Sequence, residues 1–130
     1  MNDKTLKEDE LIAISALLVH AAKIDEDYQE KEKEMIQTFI KSYNSENANV
    51  IFKKAEELEK NSNQIIEFTN TIKKQSNENK SKIIEKLWKI LISDNTLDNY
   101  ESNLMRRICG LIYFPDKLSG EIKLKIINSK

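Results

Sequence analysis

Apolar residues recur along this chain at helical spacing, in segments separated by short polar breaks. Ile12, Ala13, Ala16, Leu17, Val19, His20 and Ile24 follow a period near 3.6 and predict a first helix. Thr5 and Glu8 precede it with the spacing of a capping box. The stripe pauses at 25–28 and resumes at Met35, Ile36, Phe39, Ile40 and Tyr43 as a second helix. A polar break at 43–46, with Ser45 as N-cap, leads to a third helix carrying Ala48, Ile51, Phe52, Ala55 and Leu58. After Asn61-Ser62-Asn63 comes a shorter helix with Ile65, Ile66, Thr69 and Ile72. Ser76–Ser81 is polar and reads either as a loop or as a frayed first turn. A strong stripe through Ile83, Ile84, Leu87, Trp88, Leu91 and Ile92 predicts a fifth helix. The sixth holds Leu104, Met105, Ile108, Cys109, Leu111 and Ile112 and is stopped by Pro115; Ser119 opens the last, with Ile122, Ile126 and Ile127. The expectation is an all-α, compact bundle of about seven helices, one domain over residues 1–130.

Composition narrows the picture. Two glycines and one proline, all in the last quarter of the chain, leave the rest almost free of helix breakers. Twenty-one basic and 22 acidic residues give a net charge of −1, without the basic excess expected of a nucleic-acid binder. Met1–Leu11 is charged and lacks the apolar run of a signal peptide, and no stretch has the length of a membrane span. A single cysteine, Cys109, rules out an intramolecular disulfide framework. These features predict a cytoplasmic protein, and a peripheral membrane complex is compatible with them.

The two polar breaks around 25–32 and 94–101 share a pattern. Ile24–Ile36 lies in register over Ser93–Met105, so that Asp25 matches Asp94, Tyr28 matches Leu97, Glu32 matches Glu101 and Met35 matches Leu104. Each copy places an Asp and a Glu seven residues apart between two amphipathic helices, which suggests a duplicated helix–turn–helix unit. The Asp suits the free amides of a turn, and the Glu suits the positive end of the following helix. Asp98 and Glu101 also form a second capping-box-like pair.

With both copies in view, the chain resembles the tellurite-resistance TerB family, including the TerB-like domain that precedes the J domain in some co-chaperones. The family's turn reads Ala-x-x-Asp-Gly-x-apolar, followed by a Glu. Here it stands as Ala22-Lys-Ile-Asp25-Glu26-Asp27-Tyr28 through Glu32, and as Leu91-Ile-Ser-Asp94-Asn95-Thr96-Leu97 through Glu101. Leu104 through Asp116 is similar to the segment after the second turn in short members. Glu26 and Asn95 replace the usual Gly; Asn tolerates positive φ far better than Glu does. The second copy therefore keeps the pattern better.

The resemblance implies a non-catalytic binding or scaffolding domain associated with tellurite or other chemical stress, with protein partners. It also implies a metal role for Asp94, Glu101, Asp25 and Glu32, supplemented by Asp98 and Asp27. An all-oxygen donor set suits a divalent cation such as Ca²⁺, Mg²⁺ or Mn²⁺. The competing reading is that each Asp and Glu caps its own helix. A further alternative is a metal-dependent enzyme using the same carboxylates plus His20. Catalysis lacks other support: no glycine-rich phosphate loop exists, and no Ser or Cys is marked as a nucleophile by its neighbours. Cys109 and Trp88 read as core, and Arg106-Arg107 as a solvated helix face.

Overall fold

A computed structural model describes residues 7–23, 30–62, 65–92 and 99–129, without the side chains of 99–101. Seven helices occur among them: α1 (Glu8–Ala22), α2 (Glu30–Lys41), α3 (Ala48–Asn61), α4 (Ile66–Ile72), α5 (Asn77–Ile92), α6 (Asn99–Leu111) and α7 (Asp116–Asn128). The described residues contain no strand, so the all-α bundle expected from the apolar periodicity is the one observed.

Helix α1 is the centre of the assembly. A helix that is apolar all round has no face for water and must be enclosed. In α1, Leu11, Ile14, Ala16, Leu17, Leu18, Val19, Ala21 and Ala22 are all buried. It packs against α2, α3, α4 and α5. Its alanines let those neighbours approach closely, while the leucines and Ile14 fill the space between them. The other helices are amphipathic and present one stripe each: Ile36, Phe39 and Ile40 from α2, Ile51, Phe52 and Ala55 from α3, Ile83, Ile84, Leu87, Trp88 and Leu91 from α5. Helix α7 lies against α5 and α6, outside this inner group.

The helix starts differ from the sequence expectation in four places. The box expected at Thr5 and Glu8 is displaced: α1 begins at Glu8, and the Lys7 amide donates to Glu10 Oε1 at 2.9 Å. Thr5 itself lies outside the described residues. Asn47, not Ser45, is the N-cap of α3, and its amide donates to Asn44 Oδ1 at 3.1 Å. Ser76–Ser81 is the first turn of α5 rather than a loop, and that turn is closed rather than frayed. The Asn79 amide donates to Ser76 Oγ at 3.1 Å, closing the first turn of α5, and Asn79 and Lys80 are buried. Helix α7 starts at Asp116 behind Pro115, whose fixed φ is already helical, so Ser119 stands one turn inside.

That displacement gives Ser119 another task. It is 4% exposed, and its Oγ accepts from the indole Nε1–H of Trp88 at 2.9 Å. A buried indole N–H without a partner is costly, so this bond ties α7 to α5. Smaller departures follow from register: Ile66 is 40% exposed while Phe68 takes its expected place in the core, and Leu58 lies at the edge.

Helix α6 ends by a 6→1 bond, with the Phe114 amide donating to the Cys109 carbonyl at 2.9 Å and that of Tyr113 to Gly110 at 3.4 Å. Tyr113 occupies the left-handed position at φ 60°, where glycine is the usual residue. Phe114 turns back into the core.

Two substitutions test this packing. The Ser15 hydroxyl, on the enclosed helix, is buried with no hydrogen-bond partner among the described residues. Ser15→Ala is expected to raise stability to chemical denaturation by about 1 kcal/mol, since burying an unsatisfied hydroxyl costs roughly 1–3 kcal/mol. Ser119→Ala is expected to cost about 1–3 kcal/mol in the native background and far less in a Trp88→Phe background. Equal costs in both backgrounds would mean that the Trp88–Ser119 bond does not hold α7.

Candidate functional site

Of the carboxylates singled out by the doubled pattern, Asp25, Asp27, Asp94 and Asp98 lie outside the described residues. The side chain of Glu101, at the third position of α6, does so too. Glu32 is the one whose side chain is described. It stands at the third position of α2, in the first turn, and is 7% exposed. It is engaged within the chain's own interactions. A carboxylate there meets the unpaired amides and positive dipole end of α2. Among the described residues no group of three or more His, Cys, Asp or Glu side chains is placed to hold a metal ion.

The helices leading into the two acidic segments are α1 and α5, and they are tied together where they begin. Glu10 accepts the Lys7 amide on Oε1 and the Gln75 amide nitrogen on Oε2 at 2.7 Å. Gln75 in turn accepts from Asn79 Nδ2 at 3.1 Å. This chain of bonds joins the start of α1 to the start of α5, and the two helices pack against each other.

At the other end of α1 a single carboxylate gathers two basic groups. Glu59 of α3, with its side chain 13% exposed, receives Lys23 Nζ on Oε1 at 2.9 Å and faces His20 Nδ1 through Oε2 at 3.3 Å. His20 thus has a described partner on another helix. The sequence offered no sign of that pairing, because positions 20 and 59 belong to different helices and become neighbours only through the α1–α3 packing.

Cys109 is 1% exposed, as its apolar neighbours suggest. Burial pushes its thiol up, with a hydrogen bond to Ser119 pulling the other way. Arg106 and Arg107 are exposed, and Trp88 is core, with the Lys123 ammonium 5.0 Å from its ring centroid.

A cleft of about 390 Å³ opens between the end of α2 and one face of α5, lined by Phe39, Ser42, Tyr43, Lys82, Glu85, Lys86 and Lys89. The three lysines recur at i, i+4 and i+7 beside the apolar stripe of α5. That spacing was present in the sequence, but a lysine row on an amphipathic helix is ordinarily only its wet face. Lys82 reaches Glu78 at 3.6 Å, whereas Lys86 and Lys89 form no ion pair among the described residues. Burial, and next the Lys89 ammonium, push Lys86 down against an opposing pull from Glu85. Phe39 and Tyr43 pack with ring centroids 5.3 Å apart. Burial and the Glu78 carboxylate push the Tyr43 phenol up.

The family model described as tellurite resistance protein TerB matches residues 11–124. The chain belongs to the TerB family. The match runs from Leu11 in α1 to Leu124 in α7, so it takes in both acidic segments, the Glu59 pairing and the α2–α5 cleft. TerB membership makes this a tellurite-resistance-associated domain. No curated protein and no solved structure matches the chain. No helix among the described residues is long and apolar enough to cross a membrane.

Burial predicts the behaviour of the one thiol. In native TerB buffer Cys109 is expected to react with a disulfide reagent such as Ellman's only as fast as the chain opens, and at once in denaturant. Rapid labelling of the folded protein would contradict its place in the core.

Proposed function

We propose that this TerB domain is a non-catalytic, single-domain binding module that recruits a protein partner in a stress-associated complex, and that its acidic turns hold a divalent cation. The observation that carries the reading is the doubled Asp-to-Glu pattern lying within a family match that spans almost the whole chain. Asp94 and Glu101 are the principal ligands, with Asp25 and Glu32 as their counterparts and Asp98 and Asp27 as supplements. All are oxygen donors, which favours Ca²⁺, Mg²⁺ or Mn²⁺ over a soft metal. A bound cation would offset the repulsion among carboxylates brought near one another.

Two features of the described residues support this reading. Helices α1 and α5, which lead into the acidic segments, are joined at their starts through Glu10, Gln75 and Asn79. Glu32 stands at the start of α2, where its charge is already favoured. The non-catalytic part is supported by the burial of Cys109, which withdraws the one thiol of the chain from any substrate.

Thermal unfolding in the presence of Ca²⁺, Mg²⁺, Mn²⁺ or Zn²⁺ tests the cation. One of the hard ions is expected to raise the midpoint, by the linkage of binding to folding, and Zn²⁺ to do so least. Asp94→Asn and Glu101→Gln should each abolish most of the gain, and His20→Ala should leave it intact. If no ion stabilises the chain, or if the Asp94→Asn gain equals that of the native protein, the carboxylates are helix caps and nothing more.

A further inference from the structure

The α2–α5 cleft carries a chemistry separate from the acidic turns. Its α5 wall supplies three ammonium groups and one carboxylate, from Lys82, Lys86, Lys89 and Glu85, an excess of positive charge in a chain whose overall balance is −1. Two of the three, Lys86 and Lys89, have no ion-pair partner among the described residues. Holding like charges together at a half-buried surface is unfavourable, and an anion seated between them removes the cost.

The α2 wall is different in kind. Phe39 and Tyr43 offer a tilted pair of aromatic rings. The Tyr43 hydroxyl is buried and has no hydrogen-bond partner among the described residues. That hydroxyl is closed off from the cleft, so what Tyr43 offers a ligand is the ring. Ser42 already donates its hydroxyl to the Phe39 carbonyl at 2.6 Å, so its oxygen faces a ligand only as an acceptor. The end of α2 is the negative end of its dipole, which drives an anionic group toward α5 rather than α2. The cleft is therefore polarised: cationic along one wall, aromatic along the other. Its volume of about 390 Å³ lies near the lower end of the range for small-molecule sites, roughly 300–1,000 Å³.

We propose that this cleft binds a small aromatic phosphate, with the phosphate group on Lys86 and Lys89 and the flat ring against Phe39 and Tyr43. The doubly charged phosphate matches two unpaired ammoniums. The ring matches a wall that an inorganic ion would leave empty. Lys82, held by Glu78, lies at the margin and steers rather than clamps. Glu85 opposes the anion and limits the site to ligands whose charge is compact enough to stay beside Lys86 and Lys89.

The test is an NMR titration of the full ¹⁵N-labelled chain with phenyl phosphate, beside inorganic phosphate and benzyl alcohol as ligands with only one of the two features. Phenyl phosphate is expected to give saturable amide shifts centred on Ser42, Tyr43, Lys86 and Lys89, with affinity about tenfold or more above either control. The Lys86 ammonium should titrate at higher pH in the saturated protein. Lys86→Gln with Lys89→Gln should weaken phenyl phosphate by about tenfold or more, while Lys60→Gln, on α3, leaves it unchanged. Tyr43→Leu, which removes the ring, should weaken it while preserving the spectrum of the fold. Unsaturated shifts spread over surface lysines would overturn the proposal. So would equal affinity for inorganic phosphate, or a double lysine variant that binds as well as the native chain. Tighter binding of an acidic peptide containing phenylalanine would show that the cleft is a protein-docking site instead.

Discussion

Everything in this bundle is arranged around the enclosure of α1. A helix whose residues from Leu11 to Ala22 are almost all withdrawn from water cannot exist as a surface element, and four other helices supply its walls. Each fully buried Leu or Ile along it contributes on the order of 1.5–3 kcal/mol. The polar chemistry of α1 is consequently pushed to its two ends. Glu10 organises one end through Lys7 and Gln75, and Glu59 organises the other through His20 and Lys23. These end contacts tie α1 to the start of α5 and to α3.

The periphery follows from the same constraint. Helices α2, α3 and α5 need only one apolar stripe, and the remainder of each is free for charge. On α5 that freedom produces the row Lys82, Lys86 and Lys89, which meets the aromatic end of α2 across a cleft. Helix α7, which lies outside the inner group, is attached by a specific polar bond rather than by bulk burial alone. Trp88 provides a donor that has to be satisfied, and Ser119 provides the acceptor.

Much of this was legible in the order of residues, and the reason is local. Helix number and order follow from periodicity and from breakers, both of which act within a few residues, so seven helices were read and seven are described. The family likeness was legible for the same reason, being carried by two short turns. Helix starts were read less well. Several residues near each start could cap, and the choice among Thr5, Lys7, Ser45 and Asn47 is decided by where tertiary packing sets the first turn. The burial of Asn79 and Lys80 was hidden because a polar stretch looks solvated until Gln75 and Glu10 are brought beside it. Glu59 and the cleft were not legible at all, since each joins residues from helices far apart in the chain. The carboxylates of the doubled turn, by contrast, stood out in sequence, yet of these only Glu32 has a described side chain.

The central position of α1 has a consequence for synthesis. It leaves the ribosome before the other described helices and is the least able to remain alone in water. Its last wall, α5, is completed about 70 residues later. At roughly 5–20 residues per second, the most apolar segment of the chain waits on the order of 4–14 s for its enclosure. During that interval it is a sticky nascent helix, and the acidic cluster Glu8, Asp9 and Glu10 at its leading end is the charge that travels with it.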